Sequence, residues 1–201
     1  VPVTHASAGF GTSVAEWVVG VMIDLSRDIS RSVLAYRDGV PPLVRMGREL
    51  RGSRLGIIGY GHIGRHVGAL ALALSMRVSF SDPVAHGDDP AARRLPLDEL
   101  LAESDFVLCL APATAETDSL MNAARFARMK RGAFFINASR GDLVDDAALM
   151  RALDKPPRRL CAGCRPCARP DAFARAGASP ARDRHAAHRR PDAGSGPNIR
   201  R

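Results

Sequence analysis

The sequence predicts an α/β fold built on a doubly wound parallel sheet, and three observations predict it. Over residues 1–154, short apolar runs suited to buried strands alternate with helical periodicities. One run, Leu55-Gly56-Ile57-Ile58, passes directly into Gly59-x-Gly61-x-x-Gly64 and then into a helix-forming stretch, Arg65 to Leu72. The next strand, Arg77-Val78-Ser79-Phe80-Ser81, closes on an acid, Asp82. A glycine triplet alone is weak evidence. A strand before it, a helix after it and an acid ending the following strand give it meaning.

The glycine spacing has a chemical reason. Gly59 permits the tight turn, Gly61 lets the backbone approach a pyrophosphate without an intervening Cβ, and Gly64 lets the helix pack close to the strand. The helix N-terminus then offers N–H groups and positive dipole to the phosphates. Asp82 can accept hydrogen bonds from the adenosine ribose hydroxyls. Its charge opposes a 2′-phosphate, which favours NAD over NADP. The motif thus predicts a Rossmann-type dinucleotide-binding domain; the competing reading is a glycine-rich βα turn that binds nothing.

The elements follow in order. Val1-Pro2-Val3 reads as the end of a strand or a linker, an abrupt start. Ser13-Val14-Ala15-Glu16 has capping-box spacing. Val14, Trp17, Val18, Val21, Met22, Leu25 and Ile29 recur at helical intervals, predicting one long amphipathic helix over 13–36. Trp17 and Met22 read as core or subunit-interface residues. Gly39, Pro41 and Pro42 end that helix. A helix near 62–75 leads to the strand at 77–81, followed by a polar loop with Pro83, Gly87 and Pro90. Leu97 to Leu101 is a short helix. Phe106 to Leu110 is a buried strand with Cys109 in the core. Asn122 caps a helix carrying Phe126 and Met129, and Ala133 to Asn137 is a further strand. Asp145 to Leu153 is a helix with acids in its first turn, where the dipole favours them. Ligands of doubly wound sheets sit beyond the carboxyl ends of the strands. The turn at 59–64, Asp82, Ala111-Pro112 and Asn137-Ala138-Ser139-Arg140 all lie at such ends.

A chain of 201 residues, 46% apolar, can hold one domain, or one and a fraction, with a core. No apolar run reaches the ~18 residues of a membrane-spanning helix, and Val1 to His5 lacks the features of a signal peptide. A cytoplasmic location without a membrane partner is expected. The net charge of +8 is unevenly spread. Residues 155–201 hold 12 Lys/Arg against 3 Asp/Glu, whereas residues 1–154 hold 17 against 18. The body is near neutral, and the basicity belongs to the last quarter.

The ordered motifs resemble the D-isomer-specific 2-hydroxyacid dehydrogenases, the family that includes phosphoglycerate dehydrogenase. The matching pieces are Val14-Ala15-Glu16, Gly56 through Gly64, Asp82-Pro83, Leu97 through Leu101, Ala111-Pro112 through Glu116-Thr117, Met129 through Ala133, and Ile136 through Gly141. The resemblance implies hydride transfer between NAD and C2 of a small 2-hydroxy or 2-oxo acid. It implies a cofactor site of Gly59, Tyr60, Gly61, His62, Ile63, Gly64, Asp82, Ala111, Pro112, Thr117, Ala138, Ser139 and Arg140. His62 and Ile63 would lie over the pyrophosphate through their N–H groups, and Ala138 and Arg140 would border the nicotinamide. Arg140 would be the catalytic arginine that forks onto the substrate carboxylate and carbonyl; judged without the resemblance, a solvated loop arginine fits equally well. The helix 13–36 is expected to form a homodimer surface, or to serve a non-catalytic, NAD-sensing corepressor-like protein. The family's general acid/base His, its carboxylate partner and its substrate domain are not found in this sequence. The expectation is an NAD-binding domain cut at both ends and catalytically incomplete.

Residues 155–201 are expected to form a disordered tail. Their only Val, Ile, Leu or Met residues are Leu160 and Ile199, too few to offset ordering entropy. Cys161-x-x-Cys164-x-x-Cys167, with His185 and His188, has spacing compatible with zinc or iron–sulfur, but no metal site is expected without a framing strand or knuckle. A basic tail that binds nucleic acid would need aromatic residues to stack on bases, which it almost lacks, so no nucleic acid partner is expected. A frame-shifted tail accounts for more. Allowed codons for Pro157 to Cys164, read one base on, give Leu-Ala-Gly-Cys-Ala-Leu-Asp-Val. Those for Arg182 to Arg190 give Val-Ile-Ala-Thr-Pro-His-Ile-Gly-Gly. These are the two missing family motifs, in order, and they place the break near Asp154 or Lys155. Without them in the translated chain, the strand at 133–137 is expected to be a sheet edge.

Overall fold

The computed structural model describes residues 11–42, 46–85, 91–153 and the backbone of 159–162. All lie in one compact unit, Val1–Cys167; the second unit, Ala168–Arg201, falls outside the described residues. Within the first unit a six-stranded, all-parallel sheet runs in the order β3-β2-β1-β4-β5-β6. Its strands are β1 (Arg54–Ile58), β2 (Arg77–Ser81), β3 (Ala92–Arg94), β4 (Phe106–Cys109), β5 (Phe134–Asn137) and β6 (Arg159–Ala162). The helices are α1 (Gly11–Arg27), α2 (Ile29–Arg37), α3 (His62–Ala73), α4 (Leu97–Glu103), α5 (Ala123–Arg128) and α6 (Asp146–Leu153). The chain winds outward from β1 in both directions, so the switch point lies between β1 and β4.

Helices cover both faces, which is why β4 and β5 are buried along their whole length. One face packs Ala15, Val18 and Met22 of α1 and Val67 and Ala71 of α3 against Leu55, Ile57, Phe80, Phe106 and Phe134. The other packs Leu100, Leu101, Phe126 and Ala148 against Ile58, Val107, Cys109 and Phe135. Cys109 is a core residue, as expected. Asn122 caps α5 by accepting from the Arg125 amide at 3.1 Å, and Asp145 accepts from the Ala148 amide at 2.9 Å at the start of α6.

Three expectations are corrected. The long helix breaks at Asp28, which stands in the left-handed region (φ 55°) and separates α1 from α2. An Asp tolerates that conformation better than most residues. No residue of α2 is buried, so the apolar periodicity that crosses the break does not mark a continuous core face. Ser13 and Glu16 lie inside α1, which is already helical at Gly11, so they form no capping box. The segment 133–137 is not an edge: β5 pairs with β4 on one side and with β6 on the other, in register Phe134↔Arg159 to Asn137↔Ala162. The low apolar content of residues 155–201 did not exclude this strand, because ladder pairing is made by main-chain N–H and C=O groups. The strand β3, inside what reads as a loop, is an addition. Among the described residues no helix is long and apolar enough to cross a membrane.

Candidate functional site

The site begins where β1 ends. Gly59 has φ +91°, and a Cβ there would stand 2.7 Å from the Ala111 amide nitrogen, so both conformation and space require glycine. A Cβ at Gly64 would stand 2.6 Å from the Gly59 carbonyl oxygen, so the first turn of α3 rests directly on the glycine turn. Gly61 differs: a Cβ there meets nothing within 4 Å. Its outer face is open, on the side where α3 begins without a side-chain cap. That is the cradle a pyrophosphate needs, and the residues present fit the group.

Asp82 ties this turn to the end of β2. Its Oδ2 accepts from the Tyr60 amide at 2.7 Å, and its Oδ1 accepts from the Val84 and Ala85 amides, each at 2.8 Å. Burial pushes the carboxyl group's pKa up, but those three amides and the nearby Arg94 outweigh it and hold the pKa below the ordinary carboxylate value. A carboxylate offers about four lone-pair sites, so Oδ2, with one amide bound, has room for one more donor. Tyr60 contributes backbone only. Its ring is buried, stacked on Phe80 with centroids 4.1 Å apart, and the Arg65 guanidinium covers it at 5.2 Å.

The other sequence-picked residues gather at the carboxyl ends of β4 and β5. The Ala138 amide donates to the Cys109 carbonyl at 3.0 Å, and the Ser139 hydroxyl donates to the Ala111 carbonyl, joining the two strand ends. The Thr117 hydroxyl donates to the Pro112 carbonyl at 2.6 Å and accepts from the Thr114 amide at 2.8 Å, which pins the loop after β4. Asn137 is buried; it donates to the Arg140 carbonyl at 2.8 Å and accepts from the Ser139 amide at 3.0 Å. Arg140 is exposed, and among the described residues its guanidinium makes one long contact, 3.4 Å to the Ser139 carbonyl. His62 and Ile63 open α3. The His62 ring packs beside that of His66, centroids 4.5 Å apart, and against Gly11 of α1.

Sequence reasoning missed the wall beyond Asp82. A cavity of about 520 Å³ is lined by Ser81, Asp82, Pro83, Arg94, Leu95 and Pro96. Arg94 ends β3, a strand of three residues with one buried position, too short for a period to register. Among the described residues no group of three or more His, Cys, Asp or Glu could hold a metal ion. The cysteines and histidines of the tail motif lie outside the described residues, the backbone of Cys161 excepted.

The family model of the D-isomer specific 2-hydroxyacid dehydrogenase NAD-binding domain matches residues 19–162. D-3-phosphoglycerate dehydrogenase 2 of Saccharomyces cerevisiae is 44% identical over 143 residues, which are 70% of this chain and 30% of the yeast protein. The TT0316 protein of Thermus thermophilus superposes with a TM-score of 0.72 at 33% identity, over 79% of this chain and 52% of that one. D-lactate dehydrogenase of Aquifex aeolicus, solved with NAD and lactic acid, gives a TM-score of 0.67 at 34% identity, over 72% and 44%. The chain thus spans about a third to a half of the length of these relatives. With the glycine turn, the acid after β2 and the matched family model in agreement, the chain belongs to the D-isomer specific 2-hydroxyacid dehydrogenase family, of whose NAD-binding domain it carries the sheet and the cofactor turn.

Proposed function

We propose that this chain binds NAD(H) at the carboxyl edge of the sheet and orients it for hydride exchange with a small 2-hydroxy or 2-oxo acid. The observation that carries this reading is the turn at Gly59, Gly61 and Gly64, open outward at Gly61 and held to β2 by Asp82. In this reading the His62 and Ile63 amides face the pyrophosphate, and Asp82 holds the ribose. Ala111, Pro112, Thr117, Ala138 and Ser139 border the nicotinamide half. Bound NAD supplies the hydride acceptor or donor. The exposed Arg140 guanidinium forks onto the substrate carboxylate, with Asn137 holding its main chain in place. Titration of NADH fluorescence tests the reading: saturable binding that Gly61→Val abolishes is expected, and its absence refutes it.

The proton that accompanies the hydride needs a general acid/base. The described histidines, His62 and His66, pack together on α3, and neither contacts Arg140. We therefore propose that residues 1–201 alone are catalytically incomplete. The purified chain is expected to oxidise D-lactate, D-glycerate and 3-phosphoglycerate no faster than background; turnover that Arg140→Ala abolishes would overturn this. The shifted codon reading supports a frame change near Asp154, which the nucleotide sequence of codons 150–200 tests directly.

A cytoplasmic homodimer completes the proposal. Trp17, Ile23, Ile29, Val33, Leu34 and Tyr36 of α1 and α2 are exposed apolar or aromatic residues, a run that suits a subunit contact. The same run favours a second reading, an NAD-sensing dimer without turnover. Sedimentation that shifts with NADH, in a chain that turns nothing over, selects it.

A further inference from the structure

The cavity beside Asp82 has a cationic wall that the proposed function does not use. The parallel pairing of β2 with β3 sets Phe80 opposite Arg94, so Arg94 stands at the same carboxyl edge as Asp82. Its Nη2 donates to the Asp82 main-chain oxygen at 2.7 Å, which fixes the guanidinium beside that residue. Arg94 is exposed and, among the described residues, makes no other hydrogen bond and no ion pair. Most of its five N–H donors are therefore free for a ligand. The neighbouring Arg93 instead faces Glu103 at 3.9 Å. The cavity that Arg94 shares with Asp82 is otherwise walled by Ser81, Pro83, Leu95 and Pro96, a largely apolar surface suited to a flat base.

The charge balance matters as much as the geometry. A lone carboxylate at the end of β2 repels a 2′-phosphate. Here the carboxylate already accepts from three backbone amides, and the Arg94 guanidinium sits nearby, bonded to the same residue's main-chain oxygen. A guanidinium matches a phosphate bidentately and stays charged at any working pH. A ribose held by Asp82 lies in the cavity that Arg94 lines, so a 2′-phosphate enters with its counter-ion in place.

We propose that Arg94 is a specificity-determining residue at the adenosine end of the site, where it accepts a 2′-phosphate, so that the domain binds NADPH as well as NADH. The proposal rests on the dinucleotide-binding reading above. It is tested on the full chain by titrating NADH and NADPH by nicotinamide fluorescence and reading the ratio of their dissociation constants. The unaltered chain is expected to bind NADPH within about tenfold of NADH. Arg94→Ala is expected to raise the NADPH/NADH ratio by about tenfold or more, the worth of one charge-assisted hydrogen bond. Arg94→Lys, which keeps the charge but not the fork, is expected to recover part of that loss, and Arg93→Ala is the control. A ratio that Arg94→Ala leaves unchanged, while NADH still binds, overturns the assignment of Arg94 alone. Failure of NADH itself to bind overturns the parent reading and this one with it.

Discussion

Replacing Asp82 by alanine tests whether one carboxylate serves both the fold and the ligand. Three backbone amides lose their acceptor: Tyr60, Val84 and Ala85. Val84 is 71% exposed, and its turn recovers hydrogen bonds from water. Tyr60 is 1% exposed and recovers little. The loss is therefore close to one hydrogen bond to a charged group, about 2 to 3 kcal/mol. For a domain of this size that lowers Tm by about 5 to 10 °C. Asp82→Asn separates the contributions, because its single oxygen can keep the Val84 and Ala85 amides while its NH₂ group confronts the Tyr60 amide; it should lose nearly as much. The pH dependence follows from the sign of the shift. The folded-state pKa is depressed below the ordinary 3.8, so the stabilisation is present above that value and lost as pH falls through the folded value. Thermal unfolding followed by circular dichroism at pH 7 and below pH 4 reads both effects, with NADH affinity measured beside it. A variant whose Tm matches the parent within 1 °C at pH 7 while NADH affinity falls would refute the structural half of this argument. The converse would refute the ligand half.

Gly64→Ala should drive α3 off the glycine turn, since the atom its Cβ would meet at 2.6 Å, the Gly59 carbonyl oxygen, is backbone; a loss of about 1 to 3 kcal/mol in chemical denaturation is expected, with weakened NADH binding. Phe135→Ala empties a fully buried position that packs edge-on against Phe126, centroids 5.3 Å apart, and should cost about 3 to 5 kcal/mol by the same assay. Lys130→Met removes the partner that Asp105 holds at 2.6 Å. Burial raises the Asp105 pKa, and Lys130, the Arg54 amide and Arg48 more than offset it, so the variant's Asp105 pKa should move up, as read by carboxyl NMR. Stability should change by only about 1 kcal/mol or less, because both groups touch solvent.

What the sequence made legible was local. The step from β1 through the glycines into α3 and on to Asp82 needs only an apolar run, three glycines and one acid in order. The caps at Asn122 and the acids opening α6 are likewise read from neighbouring positions. What stayed hidden depended on partners distant in the chain or on the main chain alone. Nothing in the residues around Asp82 shows that it will bind the amide of Tyr60, 22 positions earlier. The bend at Asp28 is invisible because apolar spacing continues across it. β3 is too brief for alternation, so Arg94 escaped notice with it. The composition around β6 argues against a strand, although ladder formation depends on backbone groups.

The double duty of Asp82 constrains how this domain can change its redox currency. On the proposed reading a substitution there alters preference and loosens the turn at once, so each mutational path through that position begins with a loss of stability. Arg94 carries no comparable obligation: it is exposed, ends an edge strand and holds one carbonyl. With the role proposed for Arg94, drift between the two coenzymes runs through the short strand at the sheet's rim while the acid stays fixed, so a lineage exchanges coenzyme preference without passing through a poorly folded ancestor.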